Sequence, residues 1–88
     1  MDNQRQRIKA IDELLIRILK ERVEIGKELA QIKKAQGSGV EDKAQEEHVL
    51  GRIREYAEDQ ISEDCGEEIE EVWRAIIDLT KSEMERHT

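Results

Sequence analysis

The sequence contains no proline and no phenylalanine, and its only aromatic residues are Tyr56 and Trp73. Without proline, no position is barred from the interior of an α-helix. Proteins that bind single-stranded nucleic acids stack the bases on aromatic side chains, so this scarcity argues against that class. Cys65 is the one cysteine, so no internal disulfide can form. A lone thiol fits a reducing cytosol and indicates no metal cluster.

Long apolar segments and an excess of positive charge are also missing. No apolar run reaches the length of a membrane span, and the N-terminus lacks a secretory signal, so we expect a cytoplasmic protein without membrane contact. Charged residues make up 42% of the chain, and the net charge is −7. Because a phosphate-binding face needs clustered positive charge, we expect no nucleic-acid partner. An anionic ligand could bind only where a few cations converge.

Helix-forming residues dominate what is present, namely alanine, leucine, isoleucine, glutamate, glutamine, lysine and arginine. This composition predicts an all-α fold. With 88 residues, the chain is expected to form a single helical domain over residues 1–88. A domain of this size buries a thin core and often needs a partner subunit.

The first predicted helix is long and runs from about Gln4 to Gln36. Asp2 or Asn3 can cap its start, and Gly37-Ser38-Gly39 ends it. Its apolar residues follow a heptad spacing, which predicts a seam for a neighbouring helix. The seam consists of Ile8, Ile11, Leu15, Ile18, Ile25, Leu29 and Ile32, with Arg22 in the gap. Three further residues widen the stripe: Leu14, Leu19 and Val23.

Two shorter helices follow. The second runs from about Asp42 to Asp59, and the third begins near Ser62 or Asp64 and runs to about Arg86. The apolar side of the second helix consists of Val49, Leu50, Ile53, Tyr56 and Ala57. The stripe of the third helix consists of Ile69, Val72, Trp73, Ile76, Ile77, Thr80 and Met84.

The first helix is too long for a compact single chain. At the usual rise it spans about 48 Å, whereas a compact domain of this size has a diameter of roughly 30 Å. The two later helices cannot cover the whole seam, so we infer a homodimer in which the long helices pack together. The alternative is a plain coiled-coil protein without a pocket.

Arg22 occupies a heptad position that favours leucine. A buried guanidinium needs an anion, which is either a ligand or a glutamate from another helix. Lys33 lies on the same side three turns later. Arg5 lies about 25 Å from Arg22 along the helix, so both can hold one small molecule only if Arg5 comes from the partner chain. Taken singly, Arg5 and Lys33 also fit solvated surface cations.

Other polar residues have plain structural explanations. Asp42 and Gln45 resemble a helix cap and its partner. Glu46 faces either a pocket or water, and Thr80 can bond the carbonyl oxygen four residues earlier. His48 and His87 lack the spacing of metal ligands. No catalytic triad, phosphate loop or Cys-His pair is visible, so no cofactor or metal is expected.

Together these positions resemble the all-helical chorismate mutases over essentially the whole chain. The first helix carries Arg5-x-x-Ile8-x-x-Ile11-Asp12, Leu14-Leu15-x-x-Ile18-Leu19-x-Glu21-Arg22, Ile25-Gly26-Lys27 and Ile32-Lys33. The segment Gly39-Val40-Glu41-Asp42, followed by Gln45-Glu46, is similar to the family's V-x-D-x-x-R-E segment. The resemblance implies three helices per chain in an intertwined homodimer with shared active sites. It also implies the rearrangement of chorismate to prephenate, in the aromatic amino acid branch of the shikimate pathway.

The resemblance assigns roles residue by residue. Arg5 would come from the partner chain, Arg22 would bind a substrate carboxylate, and Lys33 would reach the ether oxygen and a carboxylate. Asp42 would hold the ring hydroxyl through its backbone region, and Glu46 would accept a hydrogen bond from that hydroxyl. Thr80 falls where a small polar residue contacts a carboxylate.

Two positions depart from the family pattern. Gln45 stands where arginine is usual, and Met84 stands where a glutamine usually donates to the ether oxygen. A thioether cannot donate a hydrogen bond. A shift of one residue would place Glu83 there, but the stripe favours Met84. These departures leave two related reactions open, those of an isochorismate-pyruvate lyase and a 4-amino-4-deoxychorismate mutase. The remaining alternative is a non-catalytic helical interaction protein.

Overall fold

The computed structural model describes residues 1–37 and 42–86. Three α-helices follow one another within these ranges: α1 (Asp2–Ala35), α2 (Lys43–Gln60) and α3 (Gly66–Arg86). The described residues include no β-strand. The expected all-α class, with one long helix followed by two shorter ones, is therefore confirmed.

The two ends of α1 differ in how well the sequence predicted them. The helix begins at Asp2, with Met1 as its cap residue and no capping side chain, so the predicted cap by Asp2 or Asn3 was wrong. Asp2 instead lies in the first turn, where a carboxylate interacts favourably with the positive end of the helix dipole. At the other end, Gly37 has a φ of 78° and its N–H donates to the carbonyl oxygen of Lys34 at 3.0 Å. Glycine adopts this left-handed conformation readily, which explains why α1 ends there. Ser38 and Gly39 lie outside the described residues.

The start of α2 was predicted correctly, and that of α3 was placed too early. Asp42 caps α2, because its Oδ1 accepts a hydrogen bond from the backbone N–H of Gln45 at 3.0 Å. The third helix begins at Gly66, after Ser62 and Asp64. The Cys65 N–H donates to the carbonyl oxygen of Ser62 at 3.4 Å. This turn between the two helices uses the residues that were expected to open α3.

α3 is the central helix of the chain, because it packs against both α1 and α2. Within the described residues, α1 and α2 make no close backbone approach to each other. The core between the helices is thin and includes Leu50 at 1% exposure, Ala57 at 7% and Thr80 at 9%. The molecule measures 52 × 28 × 14 Å. Since one helix with its side chains is about 10–12 Å across, the chain forms a layer little more than one helix thick.

α1 presents two different faces. Leu19, Val23, Gly26 and Ala30 are half-buried, and Gly26 lies against Thr80 of α3. The predicted heptad seam lies on another face and stays open, with Ile25 at 63% exposure. Residues 1–18 are all exposed. The two later helices therefore leave the seam uncovered, as the lengths of the helices predicted.

Two residues expected on apolar helix faces lie largely in solvent. Tyr56 of α2 is 65% exposed, and Val72 of α3 is 49% exposed. α2 contacts only α3 within the described part of the chain. One neighbour covers a narrower stripe of α2 than the sequence pattern offers, which accounts for the exposure of Tyr56.

Ion pairs join α2 and α3 at several points along their contact. Arg74 lies 3.4 Å from Glu47 of α2 and 3.5 Å from Glu70 of its own helix. Arg54 of α2 lies 3.1 Å from Glu58 and 4.0 Å from Glu70. Such half-exposed pairs contribute about 0–1 kcal/mol each. They report the antiparallel register of the two helices, in which Glu70 near the start of α3 lies beside Arg54 in the second half of α2, and Arg74 in the middle of α3 lies beside Glu47 near the start of α2.

Candidate active site

A cavity of about 160 Å³ lies where the three helices meet. Side chains from all three helices line it: Arg22 from α1; Gln45, Glu46 and Val49 from α2; Ile77, Thr80, Lys81 and Met84 from α3. Apolar side chains of α2 and α3 and polar side chains of all three helices therefore face the same cavity. A small ligand with both apolar and charged parts fits such a lining.

Arg22 lines this cavity and is half-buried. Within residues 1–37 and 42–86, no carboxylate lies within ion-pair distance of its guanidinium. The alternative explanation, a salt bridge with a glutamate of another helix, is therefore not found in the described part of the chain. A guanidinium at a cavity wall is suited to bind a carboxylate, because its planar fork can donate two parallel hydrogen bonds.

Glu46 also lines the cavity and pairs with a residue of α3. The Lys81 Nζ lies 2.7 Å from the Glu46 Oε1, and the two side chains are 32% and 27% exposed. Sequence reasoning missed Lys81. Its position next to Thr80, four residues after Ile77, places it at the edge of the α3 stripe. This spacing was the available signal, but a lysine at the edge of a stripe usually points to solvent.

Thr80 is 9% exposed and contacts both a neighbouring helix and the cavity. Its hydroxyl donates to the carbonyl oxygen of Ile76 at 3.2 Å, as the plain structural explanation predicted. Because a threonine has one O–H donor, contact with a ligand carboxylate requires this proton to turn toward the cavity. A methyl carbon of Thr80 faces Gly26, where a Cβ would lie only 2.6 Å away. The glycine therefore allows α1 and α3 to approach closely at the cavity.

The structure places both departures from the family pattern at the cavity wall. Gln45 is exposed, and its side chain lines the opening. Met84 is half-buried and lines the α3 side. Glu83, the alternative at this position, accepts from Arg86 at 3.1 Å and is not part of the lining. Met84 rather than Glu83 therefore faces the cavity, as the apolar stripe of α3 predicted.

Three of the expected site residues lie outside the lining of this cavity in the single chain. Lys33 is half-buried in the last turn of α1. Asp42 is exposed as the cap of α2. Arg5 is exposed near the start of α1, about 25 Å along the helix from Arg22. The structure brings together Arg22, Gln45, Glu46, Thr80 and Met84, and it leaves Arg5 too far away for its own cavity.

A second concave surface lies on α1 alone, lined by Asp12, Glu13, Ile16 and Arg17. All four residues are exposed and belong to less than two turns of one helix. Such a surface is the open side of an uncovered helix and has no opposing wall.

The part of the chain that the structure describes holds no group of three or more histidine, cysteine or acidic side chains that could bind a metal ion. None of its helices combines the length and the apolar character that a membrane crossing requires.

Comparison with known proteins agrees with the geometry. A family model described as chorismate mutase type II matches residues 4–85. This range includes all of α2, all of α1 except its first two residues, all of α3 except its last residue, and every residue that lines the cavity. The chain has no significant match among curated proteins or among solved structures. The chain belongs to the chorismate mutase type II family, whose members are isomerases that convert chorismate to prephenate.

Proposed function

We propose that the cavity at the junction of the three helices is the active site and that two copies of the chain together complete it. The observation that carries this proposal is Arg22, a half-buried cation without a carboxylate partner in the described ranges, at the wall of a cavity in a chain of net charge −7. An acidic chain that keeps such a cation beside a cavity is suited to a small anion. Chorismate is a dianion with two carboxylates.

The proposed reaction requires few catalytic groups from the protein. The rearrangement is pericyclic and needs no nucleophile and no general base. The enzyme must hold the flexible substrate so that its reacting carbons meet, which is a positioning task. As the ether bond breaks, negative charge grows on its oxygen, and a fixed cation then favours the transition state over the ground state.

We assign the residues as follows. Arg22 binds one substrate carboxylate, Lys33 interacts with the ether oxygen and a carboxylate, and Glu46 accepts a hydrogen bond from the ring hydroxyl. Asp42 holds the same hydroxyl through its backbone region, and Thr80 contacts a carboxylate. Gln45 and Met84 form walls of the cavity. In this assignment Lys33 alone stabilises the charge on the ether oxygen, because Met84 cannot donate.

The homodimer is supported by the uncovered face of α1. Isoleucine and leucine side chains of the seam are 50–63% exposed, as shown by Leu29 and Ile25. Burying the exposed half of one such side chain stabilises a complex by about 1 kcal/mol. A second α1, crossing the first, would cover the seam.

The dimer also accounts for Arg5. Its position about 25 Å from Arg22 along α1 excludes it from its own cavity, whereas a crossing partner helix can bring it near. We propose that Arg5 of the partner subunit supplies a further cation to each site. The single domain would then extend over residues 1–88 in each subunit, with one site per chain.

A chorismate-disappearance assay with chromatographic identification of the product tests this function. We expect prephenate from the wild-type chain and a loss of about 100-fold or more in kcat/KM for Arg22→Met, since a substrate carboxylate would lose its charged partner. Arg52, an exposed arginine of α2 outside the cavity lining, provides the matched control. Arg52→Met should leave kcat/KM within about twofold of wild type. Full activity of Arg22→Met would refute the assignment of this cavity.

The same assay separates the related reactions. Met84 lines the cavity where the family usually has a hydrogen-bond donor, and a thioether cannot donate. This observation leaves an isochorismate-pyruvate lyase and a 4-amino-4-deoxychorismate mutase as alternatives. Presenting chorismate, isochorismate and 4-amino-4-deoxychorismate in parallel identifies the preferred substrate. A non-catalytic interaction protein would turn over none of them, and Arg22→Leu would then stabilise the dimer without affecting any ligand.

A further inference from the structure

Lys81 lies in the cavity wall, and none of the proposed substrate contacts involves it. Its side chain is 32% exposed, and its ammonium lies 2.7 Å from the Oε1 of Glu46 across the α2–α3 contact. Lys9 and Glu13 form a pair of the same length on the surface of α1, where their side chains are 74% and 60% exposed. The cavity pair is thus shielded from water in a way that the surface pair is not.

The charges around the cavity explain why such a pair matters. Among the described residues of the lining, Arg22 and Lys81 are cations and Glu46 is an anion. Without Lys81, the charges of Arg22 and Glu46 would cancel, and Glu46 would repel a dianionic ligand. With Lys81, the lining carries a net positive charge. Charge–charge interactions in a half-exposed site are stronger than in bulk water, so this difference acts directly on binding.

The contact also determines where the Glu46 carboxylate points. A carboxylate has two oxygens and can accept several hydrogen bonds at once. The Lys81 ammonium holds one oxygen of Glu46, which leaves the second available to a ligand hydroxyl. A charge-assisted bond of this length fixes the side chain better than a contact with water.

We propose that Lys81 is a positioning residue of the substrate site: its ammonium holds the Glu46 carboxylate as an acceptor for the ring hydroxyl and cancels the repulsion between that carboxylate and the dianionic substrate. This inference rests on the proposed function of the cavity. It goes further by naming a cation on α3 that determines how an acidic side chain can face an acidic substrate.

The first test is a double-mutant cycle on substrate binding. Lys81→Met should raise the KM for chorismate about tenfold, because the uncompensated Glu46 carboxylate then repels the dianionic substrate. The effect is limited to this size because the effective dielectric constant of a half-exposed site is well above that of a dry interior. Lys81→Arg keeps the charge and should stay within about threefold of wild type. Once Glu46→Gln has removed the carboxylate, Lys81 has no acceptor to position, so adding Lys81→Met should raise KM by only about threefold, the share that comes from losing one cation beside a dianion.

Lys20→Met is the control, because Lys20 is an exposed lysine of α1 outside the cavity lining. A purely structural tie between α2 and α3 predicts a different pattern. Lys81→Met would then lower the melting temperature while Glu46 is present, leave KM unchanged, and cost little further stability once Glu46→Gln had removed the partner. An unchanged KM in folded Lys81→Met overturns the proposal.

Calorimetric titration with prephenate, also a dianion, separates the failure of this inference from that of the proposed function. Weaker prephenate binding by Lys81→Met, with wild-type binding restored by Lys81→Arg, supports the inference even if turnover of chorismate is absent. Turnover by wild type together with equal prephenate affinity in wild type and Lys81→Met overturns the inference alone. If the wild-type chain neither binds prephenate nor converts chorismate, both proposals are wrong.

Discussion

Gly26 of α1 faces Thr80 of α3 at the closest approach of these two helices. A Cβ added to Gly26 would lie 2.6 Å from the Thr80 Cγ2 and 3.9 Å from its Cβ. Carbon atoms in good contact lie about 3.5–4 Å apart, so Gly26→Ala forces the two helices or the threonine to move by about 1 Å. Thr80 is buried and lines the cavity, so the movement cannot be confined to the surface.

The expected magnitude follows from two opposing effects. Replacing glycine by alanine inside a helix stabilises it by about 1 kcal/mol. Overpacking a well-filled contact costs about 1–3 kcal/mol. Gly51 of α2 isolates the first effect, because a Cβ there would meet nothing within 4 Å. We therefore expect Gly51→Ala to stabilise the protein by about 1 kcal/mol, and Gly26→Ala to be less stable than Gly51→Ala by about 1–3 kcal/mol.

Urea unfolding measures the stability of both variants, at one fixed protein concentration so that the proposed dimerisation contributes equally to each. Thr80→Ser removes the Cγ2 and keeps the hydroxyl, so adding it to Gly26→Ala should recover most of the loss. Gly26→Ala should also raise the KM for chorismate, because Thr80 moves in the cavity wall. If Gly26→Ala stabilised the protein as much as Gly51→Ala, the close approach of α1 and α3 at this point would be refuted.

Two further predictions concern the cations. Lys33→Ala should lower kcat by about 100-fold or more with unchanged circular dichroism, because one fixed charge that stabilises a developing oxyanion contributes about 3–4 kcal/mol. Lys34→Ala is the control, since Lys34 is the exposed neighbour of Lys33. Near-normal turnover of Lys33→Ala would exclude the role of Lys33. Mixing inactive Arg5→Ala and Arg22→Ala chains should restore about one intact site per mixed dimer if the sites are shared. Activity that stays absent after subunit exchange, checked by size-exclusion chromatography of tagged chains, would argue against a contribution of Arg5 of the partner subunit.

Local features of this chain were readable from the sequence because their causes are local. The hydrogen bonds of a helix join residues four apart, so composition and apolar spacing predicted three helices and the all-α class. Asp42 and Gly37 act on the nearest turn of backbone, and both mark helix ends as expected. Arg22 stood out because a cation interrupted an apolar seam. The uncovered seam could also be predicted, since it follows from the lengths of the helices alone.

Contacts between helices were decided only by the tertiary structure. The rotation and sliding of the helices against each other decide which face of α1 packs on α3. They also decide that Gly26, and not a residue of the seam, contacts Thr80. That arrangement results from the packing of many side chains far apart in the sequence. The Lys81–Glu46 pair arises in the same way, since its partners lie on different helices and each alone resembles a solvated surface charge. The sequence by itself determined the helices and the uncovered seam of α1, and the packing of α3 determined which charges meet in the cavity.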